Sequence, residues 1–374
     1  MRGSFGASFG VIGLLVLGCE GYWLVPKDAP SDGDAALVSK LDPIRYDFQL
    51  PGLGAALVEA GALGSQAVVG FRALGYDAPL VVTDPFHLGS NAKAMTATVA
   101  ARLAEAGLLD WEAPLADAFP DAAVDPGYDG VVVADLFTHR AGLPRDPTSA
   151  DLAAVEGLAS PTEQRRALAQ LVLARPPAVT PLDATSYSNV GYMLAGAVIE
   201  VAAGTTFVEA LTAELFEPLS MGSCGPHSPG TEGAVIDAPR GHTSSGRVQP
   251  PGLAGDLPVV YEPAGLVHCN LADWARFVED QLRGARGEPA LLQASSYARL
   301  QTPADGTDYA YGWIVVEDAR SRILVHDGSN GVFSSLAVLR PDENRAWLVV
   351  TNIGGPRPGE AFPEALDVLD ALAP

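Results

Sequence analysis

Lysine is scarce in this 374-residue chain: Lys27, Lys40 and Lys93 are the only three among 23 basic residues, against 45 acidic ones. The formal net charge is −22 and the sequence pI is near 4.5. A chain so poor in positive patches is not built for nucleic acid, because a phosphate backbone demands clustered Lys and Arg. The same deficit disfavours electrostatic adhesion to anionic lipid and leaves a surface kept apart from its neighbours by charge. Histidine is limited to six residues, His87, His139, His227, His242, His268 and His326, with no ligand spacing and no H-E-x-x-H. No metal or other cofactor is implied. Beyond the N-terminal segment a G-x-S-x-G elbow is also absent, which argues against an α/β-hydrolase. There is no internal repeat and no low-complexity segment. One apolar run stands near the N-terminus, at residues 11–17, and it is too short to cross a bilayer as a stable helix.

Against this background one lysine is conspicuous. Ser90 and Lys93 form S-x-x-K within Phe86-His87-Leu88-Gly89-Ser90-Asn91-Ala92-Lys93. Residues three apart on a helix share a face, so the amine and the hydroxyl can lie together. A serine hydroxyl is a weak nucleophile until a base takes its proton. A lysine becomes that base if burial or nearby cations lower its pKa. The pair alone is also what an ordinary helix start with Ser90 as N-cap would look like.

Two further motifs follow in order: Tyr187-Ser188-Asn189, then His326-Asp327-Gly328 leading into Ser329. The set resembles the serine hydrolases related to class C β-lactamases, D,D-peptidases and their esterase relatives, which carry S-x-x-K, Y-x-N and a K-T-G or H-x-G triplet. The resemblance runs from about Leu50 to Asn352. It includes Leu136-Phe137-Thr138-His139-Arg140-Ala141-Gly142-Leu143, Ala264-Gly265-Leu266 with Asp273-Trp274-Ala275-Arg276-Phe277, and Tyr311-Gly312-Trp313. It implies an α/β (α+β) fold of the β-lactamase/transpeptidase type: an antiparallel sheet flanked by helices, with an inserted, mostly helical region and a cleft between the parts.

The chain's own patterning agrees. Two strand-like stretches, residues 53–60 and 66–71, form a hairpin, and helices are expected at residues 90–106, 162–174 and 190–203. The first of these is apolar on most sides and should be buried. Residues 221–259, rich in Gly, Pro and Ser, read as long surface loops. Four short strands, at residues 311–317, 322–326, 333–340 and 346–351, precede a terminal helix at residues 360–372. At the other end, residues 1–18 read as a lipoprotein signal peptide, because Val16-Leu17-Gly18-Cys19 resembles a bacterial lipobox with Cys19 as the lipidated residue. Residues 19–46, punctuated by Pro26, Pro30 and Pro43, read as a tether, and residues 47–374 as the hydrolase domain. That organisation implies an exported protein of the bacterial cell envelope, held to the membrane by a lipid anchor. Cys224 and Cys269 are then free to pair or to remain buried thiols.

The resemblance assigns roles. Ser90 is the nucleophile, Lys93 its base and Tyr187 a second hydroxyl, acting as tyrosinate or proton relay. Asn189 contacts Lys93 and substrate, while His326, Gly328 and Ser329 border the substrate, and the backbone N–H groups of Ser90 and Ser329 form an oxyanion hole. Asn189 is also a candidate N-cap for the helix that follows. His326 stands where many relatives have lysine, and a histidine is only fractionally charged near neutrality. This disfavours recognition of a substrate carboxylate and favours an ester or amide, whereas the envelope location favours a cell-wall peptide. Dedicated β-lactamase activity is a further possibility. A non-catalytic binding protein of the same fold is the alternative of a different class, and it should have lost Ser90, Lys93 or Tyr187; none is lost.

Overall fold

The computed structural model describes residues 24–372, apart from 184, 234 and 305. Strand β1 (Ser31–Gly33), helix α1 (Ala35–Asp47) and the hairpin β2 (Gly52–Glu59)–β3 (Ala62–Gly70) open the chain. The two-residue strand β4 (Phe86–His87) leads through a 3₁₀ turn, Gly89–Asn91, into helix α2 (Ala92–Glu105). A mostly helical stretch follows, containing the helices Pro161–Leu173 and Asn189–Ala203, then β5 (Gly225–Pro226), β6 (Val267–Cys269) and the helix Leu271–Ala285. Strands β7 (Ile314–Glu317), β8 (Arg322–Ser329), β9 (Ser334–Arg340) and β10 (Arg345–Thr351) and the helix Arg357–Leu372 complete the fold.

The large sheet is antiparallel, with strand order β1-β3-β2-β10-β9-β8-β7, so strands from the N-terminal and C-terminal parts of the chain meet where β10 pairs with β2. Because successive strand residues point to opposite faces, strands β2, β3, β8, β9 and β10 each feed two cores. Ala56, Val58, Leu348 and Val350 join one core, while Leu53, Ala55, Leu57, Trp347 and Val349 join the other. The second core is closed by α1 and the C-terminal helix. The first is closed by Leu271–Ala285 and the helical insertion. Both faces are therefore dry, which explains strands that read as nearly unbroken apolar runs.

The expected elements are present, with shifted ends. The strand expected from residue 311 begins at Ile314, because residues 311–313 form a turn that presses Gly312 against α2. A Cβ on Gly312, whose φ is +92°, would lie 2.4 Å from the Ala94 backbone nitrogen. The strand expected to end at His326 continues to Ser329. Residues 221–259 are largely irregular, as expected, and a disulfide between Cys224 and Cys269 ties their start to β6.

The tether expected over residues 19–46 is corrected. Residues 1–23, including Cys19 and the signal segment, lie outside the described residues, but the chain from residue 25 onward belongs to the fold. The Val25 N–H donates to Gln49 Oε1, and fully buried Arg45 donates to the Pro26 carbonyl at 2.8 Å. Strand β1 extends the sheet beside β3. Asp34 caps α1, accepting from Ala36 N and Leu37 N. Leu37, Leu41 and Ile44 recur at helical spacing and are buried. Pro43 removes one helical hydrogen bond, and this burial offsets that loss.

Candidate active site

The turn that carries Ser90 is built by two close backbone approaches. Gly89 has φ +52°, and a Cβ there would lie 2.2 Å from Ser329 N. A Cβ on Gly328 would lie 2.0 Å from the Leu88 carbonyl oxygen and 2.9 Å from Ser90 N. Glycine is therefore required on both sides for β8 to lie against the turn. The contact brings the backbone N–H groups of Ser90 and Ser329 to neighbouring positions. From below, Ser335 Oγ donates to the Leu88 carbonyl at 2.6 Å and accepts from Asn91 Nδ2 at 2.8 Å. Beyond Val325, β8 has no strand partner on its β7 side among the described residues, so its last residues present an open edge.

Helix α2 carries Lys93 one turn after Ser90, in the centre of the molecule, where its side chain is fully buried. Its Nζ lies 3.0 Å from Ser90 Oγ, 2.8 Å from Asn189 Oδ1 and 2.5 Å from the Ala264 carbonyl oxygen. Tyr187 Oη donates to Ser90 Oγ at 2.7 Å. Ser188, not Asn189, caps the following helix: its Oγ accepts from Gly191 N at 3.0 Å. Asn189 is thereby free to turn its oxygen to Lys93 and its Nδ2 to Asp146 Oδ1, at 2.8 Å. Tyr261 donates to the same Asp146 oxygen at 3.2 Å. Ser90 does not cap α2 either, and its hydroxyl is committed to Lys93 and Tyr187.

The electrostatics follow from burial. Lys93 is brought down to about 7, chiefly by desolvation; Asp146 and Asp327 oppose the shift and Arg145 assists it. Burial pushes the Tyr187 hydroxyl well up, so it is a neutral phenol at physiological pH rather than a tyrosinate. His326 is buried and falls to about 4, again mainly through desolvation. Both its nitrogens are engaged: Nδ1 donates to the Asp327 carbonyl at 2.5 Å and Nε2 accepts from Tyr309 Oη at 3.2 Å. The triplet histidine is therefore an uncharged strut at neutral pH. His139 supports Tyr187 through a ring contact at 4.4 Å, and its Nδ1 accepts from Ser188 N at 3.1 Å. At the rim, Arg145 lies 4.9 Å from the Tyr187 ring centroid with its side chain 71% exposed, and Asp327 is exposed on β8.

Ser90, Lys93, Tyr187, Asn189, His326, Gly328 and Ser329 thus converge on one cleft. Sequence reading missed the Ala264 carbonyl, Arg145, Asp146, Tyr309 and the Asn91–Ser335 support. Arg145 and Asp146 follow the matched stretch that ends at Leu143, with only Pro144 between, and that charged pair was the available signal. The other missed residues act through contacts between distant segments that no local pattern announces. Among the described residues no group of three or more His, Cys, Asp or Glu side chains is placed to hold a metal ion.

The arrangement offers a serine hydroxyl hydrogen-bonded to an amine of near-neutral pKa and to a phenol, with two backbone N–H groups nearby. Comparison with known proteins agrees with it. The β-lactamase family model matches residues 37–371. Penicillin-binding protein 4 of Amycolatopsis lactamdurans is 28% identical over 334 residues, covering 84% of each chain. Protein flp of Staphylococcus aureus (strain COL) is 22% identical over 327 residues, covering 83% of this chain and 62% of that protein. This chain therefore spans less than two thirds of the length of the staphylococcal relatives it matches. Among solved structures, the octameric penicillin-binding protein homologue from Pyrococcus abyssi superposes with TM-score 0.74 at 21% identity, covering 90% of this chain and 77% of the other. SurE with D-Leu superposes with TM-score 0.73 at 22% identity, covering 90% and 75%. These structural likenesses show a shared penicillin-binding-protein-like fold. With the matched family model spanning nearly the whole described fold and the S-x-x-K, Y-x-N and H-x-G residues converging in its cleft, this chain belongs to the β-lactamase family, whose members are generally serine hydrolases.

Proposed function

We propose that this protein is a hydrolase of esters or amides that works through an acyl-enzyme on Ser90. The observation that carries the proposal is the set of three partners around the buried Lys93 amine. A neutral amine has two hydrogens and one lone pair. Asn189 Oδ1 and the Ala264 carbonyl can only accept, so they take both hydrogens and leave the lone pair facing the Ser90 hydroxyl. Lys93 then removes the Ser90 proton as the oxygen attacks the substrate carbonyl. The N–H groups of Ser90 and Ser329 receive the oxyanion. The Tyr187 hydroxyl delivers a proton to the leaving group and is replenished from the Lys93 ammonium. Water reverses the sequence on the acyl-enzyme.

The uncharged His326 provides no cation for a substrate carboxylate, and the exposed Asp327 beside it adds negative charge to that strand edge. The favoured substrate is accordingly a neutral ester or amide. A second reading, hydrolysis of cell-wall D-peptides, draws support from the penicillin-binding names of the relatives and from Arg145, a rim cation able to meet a carboxylate. We further infer export with a lipid anchor on Cys19. The lipobox-like sequence supports this, and so does the Cys224–Cys269 disulfide, a feature of oxidising compartments.

Three outcomes are expected. In steady-state hydrolysis, a neutral short-chain ester should exceed its carboxylate-bearing counterpart by about tenfold or more in kcat/KM, and Lys93→Ala should lower acylation about 10²- to 10⁴-fold; a preference for the carboxylate or for a D-Ala-D-Ala peptide would favour the second reading. The pH–rate profile should rise through about pH 7 as Lys93 loses its proton. Asp146 raises the Lys93 pKa and Arg145 lowers it, so Asp146→Asn should move that limb to lower pH and Arg145→Ala to higher pH; shifts of the opposite sign would remove Lys93 as the titrating base. Finally, Cys19→Ala should move the protein from the membrane to the soluble fraction, and a variant that still sediments with membranes would exclude the anchor.

A further inference from the structure

A second buried network stands behind the two oxyanion donors. His87 is fully buried two residues before the nucleophile turn begins, and its Nδ1 accepts the Gly89 N–H at 3.1 Å. A ring nitrogen that accepts carries no hydrogen, so the hydrogen of the neutral ring sits on Nε2. That nitrogen lies 3.0 Å from Asp256 Oδ2, in an oblique approach between two side chains with no solvent exposure. Asp256 belongs to the long loop of residues 221–259. Its carboxylate also accepts from Leu257 N at 2.9 Å, Asn330 Nδ2 at 3.0 Å and Ser228 Oγ at 3.1 Å. Asn330 Oδ1 in turn accepts from Val332 N at 3.2 Å and Phe333 N at 2.9 Å. Ser329 Oγ closes the same turn, donating to the Phe333 carbonyl at 2.7 Å and accepting from Gly331 N at 3.0 Å. The Phe333 ring stacks on His87 at 6.0 Å.

One side of this network grips the backbone just before Ser90, and the other grips the backbone just after Ser329. We propose that the His87–Asp256 pair is a positioning clamp that sets the distance and angle between the Ser90 and Ser329 N–H groups. Neither residue reaches the cleft, so both act through the backbone they hold. A buried carboxylate facing a neutral imidazole is a weak source of stability, because desolvation offsets much of the attraction. Its effect here is geometric. Burial alone would raise the Asp256 carboxyl, but the His87 ring, the Asn330 amide and the Leu257 N–H together hold it below the ordinary carboxylate range, so it stays ionised. His268, opposite His87 in the β4–β6 pairing, turns its Nδ1 to the His227 carbonyl at 2.8 Å and leaves Asp256 to His87.

The inference rests on the Ser90 hydrolase reading, and its test separates the two. Asp256→Asn, His87→Asn and His87→Ala are compared with the unaltered protein in ester hydrolysis and in affinity for a boronic acid that forms a tetrahedral adduct on serine. Asp256→Asn should lower kcat about 10- to 100-fold with KM within about twofold, and boronate affinity should fall in step with kcat/KM. His87→Asn retains an oxygen able to accept the Gly89 N–H and should keep more activity than His87→Ala. If His87→Ala does not fold, the other two variants carry the comparison. Folded variants with kcat within twofold of the unaltered protein overturn the clamp. So do parallel losses in kcat and melting temperature without the boronate effect, which would mark a merely structural pair. If the unaltered protein neither hydrolyses esters nor binds the boronate, the hydrolase reading fails and the clamp fails with it.

Discussion

Lys93 sits in the middle of the molecule with three oxygen partners and, among the described residues, no carboxylate in direct contact. Desolvation penalises its charged form, and Asp146 and Asp327 offset only part of that penalty. Much of the surrounding architecture serves to keep this one amine dry. Helix α2 is buried along eleven of its fourteen residues. It is Ala-rich, so Gly312 and the helix Asn189–Ala203 can pack closely around it, while Gly265 lies against Gly89 and Ser90. The scarcity of lysine elsewhere underlines the point: the other two lie on the surface of the N-terminal segment, where an ammonium costs nothing.

The large sheet supplies the rigid half of the cleft. Its central strands are dry on both faces, and among the described residues the end of β8 has no partner on its β7 side, where its backbone comes within reach of Ser90. The helical insertion supplies the other half, bringing Tyr187 and Asn189 on the turn and first residue of one helix. The site therefore lies between the sheet and the helical insertion, which share one core, and its polar groups are held by contacts from both.

How much of this was legible follows from the range of each interaction. The S-x-x-K pair was readable because helical spacing alone brings Ser90 and Lys93 together. The strands were readable because both their faces are buried, and the order of the three motifs carried the family. Helix α1 was misread: Pro26, Pro30 and Pro43 signalled a tether, while Leu37, Leu41 and Ile44 carried a helical stripe that outweighed them once packed on the sheet. The uncharged state of His326 follows from burial and from Tyr309, and neither is visible in a tripeptide. Likewise, His87 and Asp256 lie in segments whose meeting depends on the whole fold, and the Ala264 carbonyl is a backbone group that no residue type betrays.

The proposed activation of Ser90 is tested most directly by chemical labelling. The folded protein would be treated with a fluorophosphonate at neutral pH, and the adduct located by intact and peptide mass analysis, with Ser90→Ala as the control. A single adduct on Ser90, absent from the control and strongly slowed by Lys93→Ala, is the result this account predicts. A folded protein that forms no adduct, or forms it on another residue, would contradict it.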